Sequence, residues 1–324
     1  MRGVRGFVAL GGLACGLGAA ACSGASGEVG DAVEADAAEI RETKLDITGN
    51  ARMPIGEVSG LGKRTAAGKT QYLAIGDAKT TLVTFDVDNN GKASKITGHD
   101  LDSLFGRGAS QWEAVAGDSS GNVFIMNEAS DTISVLDSGL GRIIHTIQLS
   151  VPEGHALSKA WKRDPNSHAE GMVLLSNGHI LVVKEKDPVA LIELAPEDED
   201  AAGYDPALAL GNAAFKLPRG GSSKMVPAKH WVLKTGDVNQ VGDVSELAQD
   251  VDGRLLLLTD QGRAIVRVER GLRVDEDKMD LKSFYKLPSS VDKPEGLVMA
   301  GSTPMVAIDA REAGDTLFSI SRLP

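Results

Sequence analysis

Residues 168–188 read HAEGMVLLSNGHILVVKEKDP: two apolar runs of strand length, a Glu-Gly pair before the first, Ser176-Asn177-Gly178 between them, and a charged cluster after the second. Asn and Gly supply the positive φ that a tight hairpin connection needs, so the stretch predicts two antiparallel strands leading from Glu170 to Glu185. It also poses a question of function: Glu170 binds something, catalyses something, or ends a strand.

The same arrangement recurs along the chain. EVSGL leads to Asp77, WEAVA to Glu128, AEGMV to Glu185, DVSEL to Asp260 and PEGLV to Asp309, each through two apolar runs joined by turn chemistry: AAGK, DSSGN, SNGH, DVDGR and GSTP. A third run follows each acid (TLVTFDV, TISVLD, VALIEL, AIVRVE, TLFSI), and a fourth follows most of them (RIIHTIQL, HWVLKT, SFYKL). The runs are rich in Val, Ile and Leu, and no helical period competes over a comparable length. Self-similarity at about 50 residues marks propellers and solenoids. The expectation is an all-β fold, a five-bladed β-propeller of four-stranded antiparallel blades. KLDIT (44–48) precedes the first repeat and the last repeat lacks a fourth run, so the N-terminal strand is expected to complete the last blade and remove its free edge. Residues 196–229 have no period and read as a surface insertion.

Aligning the repeats on Leu61, Val115, Met172, Leu247 and Leu297 puts Ser59, Glu113, Glu170, Ser245 and Glu295 in one column. Glu57, Gln111, His168, Asp243 and Lys293 fall in another. In a blade the innermost strand begins, and the second ends, on one face, so these columns converge with the outer acids Asp77, Glu128, Glu185, Asp260 and Asp309. Carboxylates gathered near one axis raise one another's pKa unless a cation compensates. All-oxygen donors favour Ca²⁺, and Mg²⁺ less, over zinc. The candidate metal ligands are Glu113, Glu170, Glu295, Asp243 and Glu57. The candidate ligand face is Asp77, Glu128, Glu185, Lys186, Asp260, Asp309 and Arg311. His168 is the one candidate base. For the outer acids the simpler reading is that they accept backbone N–H groups at strand ends.

EVSGL, WEAVA, HAEGM followed by KEKDP, GDVSEL and KPEGL, in that order over residues 44–322, resemble the SdiA-regulated family of bacterial β-propellers, and more distantly the phytase-like and gluconolactonase-like propellers. The resemblance implies a calcium-type cation at the channel mouth and no settled activity. Glu246 departs from the pattern, standing where glycine follows the column residue in three of the other four repeats.

The first 21 residues carry Arg2 and Arg5, an apolar stretch from Phe7 to Ala21, and small residues before Cys22, which together read as a signal peptide and lipoprotein cleavage site, the alternative being ordinary secretion with Cys22 an accidental neighbour. Residues 22–40 read as the lipidated cysteine and a flexible acidic tether, and 41–324 as the propeller. Cys15, the other cysteine, falls within the leader, so no disulfide is expected. The formal charge of −11 argues against nucleic acid. Two functions remain open: a monomeric, exported, membrane-anchored propeller that binds a divalent cation and presents a face to a small anionic ligand or protein partner, or a metal-dependent hydrolase of phosphate esters or lactones. DVDNNGK (86–92) ends its would-be calcium loop in Thr97 rather than Glu and reads as a turn. Neither GEVSGLG nor RGGSSK has the G-x-S-x-G spacing, and no Ser-His-Asp set is identifiable from sequence.

Overall fold

A computed structural model describes residues 41–164 and 167–324. The expected signal peptide, lipidated Cys22 and tether lie outside the described residues. Strand β1 (Arg41–Lys44) and β2 (Ile47–Ala51) lead into the first four-stranded antiparallel unit, β3 (Val58–Ala66), β4 (Lys69–Gly76), β5 (Lys79–Val87) and β6 (Ala93–Asp100). Helix α1 (Asp102–Phe105) precedes the second unit, β7 (Trp112–Gly117), β8 (Val123–Asn127), β9 (Thr132–Leu136) and β10 (Ile143–Leu149). Helix α2 (Ser158–Arg163) precedes the third, β11 (Ala169–Leu174), β12 (Ile180–Lys184), β13 (Ala190–Ala195) and β14 (Ser222–Leu233).

Helix α3 (Thr235–Val241) leads to β15 (Glu246–Gln249), β16 (Leu255–Thr259) and β17 (Ala264–Val268). After the two-residue β18 (Lys278–Met279), β19 (Leu281–Lys286) completes that fourth unit. The last contains β20 (Pro294–Ala300), β21 (Thr303–Ile308) and β22 (Leu317–Ile320). Its fourth strand is β2, antiparallel to β22, so the chain's early strand lies against its last. β1 adds a parallel strand outside β19, a pairing with no signal in the polar sequence RETK.

The burial pattern explains the sequence pattern. Every residue of β8 (VFIMN), β12 (ILVVK) and β16 (LLLLT) is buried, because both faces of each sheet are covered, and such strands are continuously apolar rather than alternating. At the rim, β6 is largely exposed and polar. The core lies between sheets: Leu73 and Ile75 pack with Val123 and Ile125, Phe124 and Met126 with Ile180 and Val182, and Leu181 and Val183 with Leu255 and Leu257. Leu256 and Leu258 pack with Leu297 and Val306, and Val298 and Met305 with Ala74 and Phe85 of the first unit. The packing thus returns to where it began.

The 196–229 stretch is held down. Its end, from Ser222, is already strand: β14 pairs antiparallel with β13 and, through Ser222–Met225, parallel with β10, joining the second and third units into one sheet. SSK carries no apolar alternation, which is why sequence placed the fourth strand only from His230. Upstream, Phe215 N donates to Asp118 (3.0 Å), Ala202 and Gly203 N donate to Glu193 (2.9 and 2.8 Å), and Tyr204 donates to Gly253 O.

Candidate functional site: an acidic cavity at the starts of the inner strands

The innermost strands β3, β7, β11, β15 and β20 begin around one cavity of about 340 Å³. Its lining comprises Glu57, Val58, Ser59, Asp77, Gln111, Glu113, Glu128, Glu170, Glu185, Asp243, Ser245, Asp260, Glu295 and Asp309, ten carboxylates with no Lys, Arg or His. The whole first column, Glu57, Gln111 and Asp243 of the second, and all five outer acids therefore meet, through the geometry that sets first-strand starts and second-strand ends on one side; His168 and Lys293 of the second column do not line the cavity.

These carboxylates fall into two sets. Asp77 accepts from Gln111 N (2.7 Å), Glu128 from His168 N (2.6 Å) and Asp243 from Gln261 N (3.0 Å). Lys186 pairs with Glu185 (2.7 Å) and Lys293 with Asp309 (3.0 Å). Among the described residues, the carboxylates of Glu57, Glu113, Glu170, Glu295 and Asp260 have no hydrogen-bond partner. Burial, then the charges of Glu128, Asp77 and Glu185, pushes Glu113 up to about 8. Burial, then Asp260, Asp243 and Asp309, pushes Glu295 up to about 9. Burial and Glu113 raise Glu170 well above the carboxylate range, and burial with Asp243 raises Asp260. Without a compensating cation, this cavity holds protons that ordinary carboxyl groups release.

His168 does not reach the cavity as a base. Its Nδ1 meets Asp131 (2.9 Å), its Nε2 meets Trp161 O (2.6 Å), and its ring stacks on Trp161 at 4.6 Å. Both nitrogens are committed to holding the loop before β11, a role invisible in sequence because Asp131 and Trp161 lie 37 and 7 residues away. Lys186 is occupied by Glu185, and Arg311 is exposed and does not line the cavity. Among the described residues no three His, Cys, Asp or Glu side chains are grouped as the ligands of one ion. The acids ring the cavity rather than meeting at a point.

Sequence missed the role of Glu246. It lies one residue beyond Ser245 and is 2 % exposed. Its Oε2 accepts from Leu61 N (3.0 Å), its Oε1 from Leu247 N (2.9 Å), and Leu297 N also donates to it. It fills space that glycine vacates: a Cβ on Gly171 would lie 2.7 Å from Glu246 Oε1. Burial raises its pKa well above the carboxylate range against the pull of these three N–H groups.

A model of SdiA-regulated proteins matches residues 101–305. The chain belongs to the SdiA-regulated family. No curated protein matches it. Solved structures similar to this family member include a calcium-binding protein, regucalcin, from Agrobacterium tumefaciens (12 % identity, TM-score 0.48, covering 87 % of this chain and 95 % of that one). PQQ-bound aldose sugar dehydrogenase from Streptomyces coelicolor is another (12 %, 0.45, 86 % and 98 %). A third is catalytically inactive virginiamycin B lyase from Staphylococcus aureus with quinupristin (13 %, 0.44, 86 % and 100 %). At these identities the likenesses carry no activity over to the family member described here.

Proposed function

We propose that this chain is an exported, lipid-anchored, five-bladed propeller whose acidic cavity takes up a divalent cation, calcium ahead of magnesium, and whose surrounding face engages a ligand or protein partner. The observation that carries the proposal is the cavity's lining: ten carboxylates, no basic side chain, and, among the described residues, five carboxylates with no hydrogen bond of their own. A bound cation supplies the positive charge that would let Glu113, Glu170 and Glu295 ionise, with Asp243 and Glu57 beside them. Calcium accepts six to eight oxygens in irregular geometry, whereas magnesium demands a near-ideal octahedron, so a loose ring of acids suits the larger ion. Packing that runs through five four-stranded units and back to the first supports the closed ring.

Hydrolysis of phosphate esters or lactones ranks second. It calls for a base and an anion-steering cation at the cavity, but His168 is held by Asp131 and Trp161, and Lys186 and Lys293 are paired with the cavity's own Glu185 and Asp309.

The test is calorimetric titration and thermal melting of the protein with calcium and with magnesium, for wild type and Glu170→Gln. Saturable calcium binding that raises the melting temperature, and is weakened in Glu170→Gln, is the expected result. Absence of any response to divalent cations would overturn the reading. Lipid anchoring is tested apart from this: Cys22→Ala is expected to move the protein from the membrane to the soluble fraction.

A further inference from the structure

The inner strands that begin at the acidic cavity continue past it into a second, larger one. Its volume is about 540 Å³, within the range of small-molecule sites. Its walls are the later residues of the same strands, including Leu61, Val115, Met172, Leu247, Leu297 and Met299, and it reaches the hairpin turns at Thr70, Gly253 and Gly301, on the side opposite the acids. At about 3.3 Å per residue, Lys63 stands roughly 13 Å along β3 from Ser59. Between the two levels lies the Glu246 carboxylate, bonded to backbone N–H groups of the first, fourth and last units. The two cavities share no lining residue. Pro206 and Ala209–Asn212, from the pinned excursion, form part of the second compartment's wall.

Most charged groups lining this compartment are spoken for. Arg64 donates to Gly121 O (2.7 Å), Ser138 O (3.1 Å) and Gln71 (2.9 Å). Asp118 accepts from Ser120, Asn122 and Phe215 N, and Asp250 from Asp252 and Arg254 N. Asp252, exposed at the turn, faces Arg254 at 3.7 Å. Lys63 is different. Among the described residues its ammonium has no hydrogen-bond or ion-pair partner, and protein surrounds it although its side chain is accessible. Its pKa is lowered by desolvation with no carboxylate offsetting the shift, the mark of an ammonium facing cavity water rather than bulk solvent.

We infer that this second compartment is a binding site for a small organic monoanion with an apolar body, its anionic head on Lys63 and its tail against the Leu, Val and Met side chains. One unpaired lysine matches one negative charge, and the chain's formal charge of −11 disfavours a polyanion. The site is separate from the acidic cavity and does not depend on cation binding there.

The probe is decanoate, followed by titration calorimetry on the purified full chain, with decanol as the uncharged control. Saturable binding of decanoate is expected, weakened about tenfold or more for decanol and for Lys63→Met, as the loss of a charge-assisted contact implies, and restored by Lys63→Arg. Asn212→Trp, on the compartment's wall, is expected to block decanoate while leaving the unfolding midpoint unchanged. No saturable decanoate binding to wild type would overturn the inference, as would equal affinities of wild type and Lys63→Met.

Discussion

The Glu246 carboxylate accepts the backbone N–H of Leu61 at 3.0 Å, 185 residues away in sequence. A side chain of the fourth unit thereby ties the innermost strand of the first, and its bond from Leu297 N ties the last. Truncating it strands these buried donors, at about 1–3 kcal/mol each. Glu246→Ala is therefore expected to lose roughly 3 kcal/mol or more in urea denaturation, and Glu246→Gln, which keeps an acceptor oxygen, clearly less. An alanine variant within about 0.5 kcal/mol of wild type, the range of ordinary surface substitutions, would show that the tie is idle.

The acidic cavity sets an unusual pH dependence. Glu113 at about 8 and Glu295 at about 9 lie above the ordinary value of 4.5 that the unfolded chain shows. Across that window the native state keeps protons that the unfolded state has released, so stability falls as pH rises. The contribution is complete below about pH 4.5 and is lost as pH climbs through 8 to 9. Cation-free melting temperatures are expected to decline from pH 5 to 9, less steeply in Glu295→Gln. Under the proposed function, calcium would flatten the decline and release protons on binding, which a pH-stat titration reads directly. A flat cation-free profile contradicts the raised values.

His179 places Nδ1 on Glu193 at 2.6 Å and Nε2 on Glu199 at 3.0 Å, and Glu193 is wholly buried. The bond to Glu193, against desolvation, raises the His179 pKa above 6.5. This contribution is complete below pH 6.5 and is lost as pH rises through the raised value. Glu193 also accepts Ala202 and Gly203 N, so Glu193→Ala is expected to cost about 3 kcal/mol near pH 6 and less near pH 9. Limited proteolysis within residues 196–204 should appear in that variant before global unfolding, and a variant cut no faster than wild type would contradict the latch.

Removing residues through Arg52 strips β2 from β22 and β1 from β19, and with them Leu45, which is 4 % exposed between the last two units. Two sheets then present unpaired edges. Size-exclusion chromatography is expected to show association, and urea denaturation a broadened or early transition. A cooperative monomer of wild-type stability would contradict the closure.

Sequence by itself determined the repeat, the hairpins and the acidic columns, since each rests on residues close together in the chain: continuous apolar runs for doubly covered strands, Gly and Asn for turns, and a constant position before β11 or after β12. It also placed Glu170 beside Glu113 and Glu295. Only the tertiary structure decided what each charged group faces. Asp77 and Glu128 are tied to the next unit's loop, His168 is spent on Asp131 and Trp161, β14 begins in a polar segment because β10 offers it an edge, and Glu246 ties the fourth unit to the first and last. Those partners lie up to 185 residues away, and a short-range pattern carries no record of them. For Glu170, the pattern gave the ring. The fold left its carboxylate without a partner and, by burying it, raised its pKa.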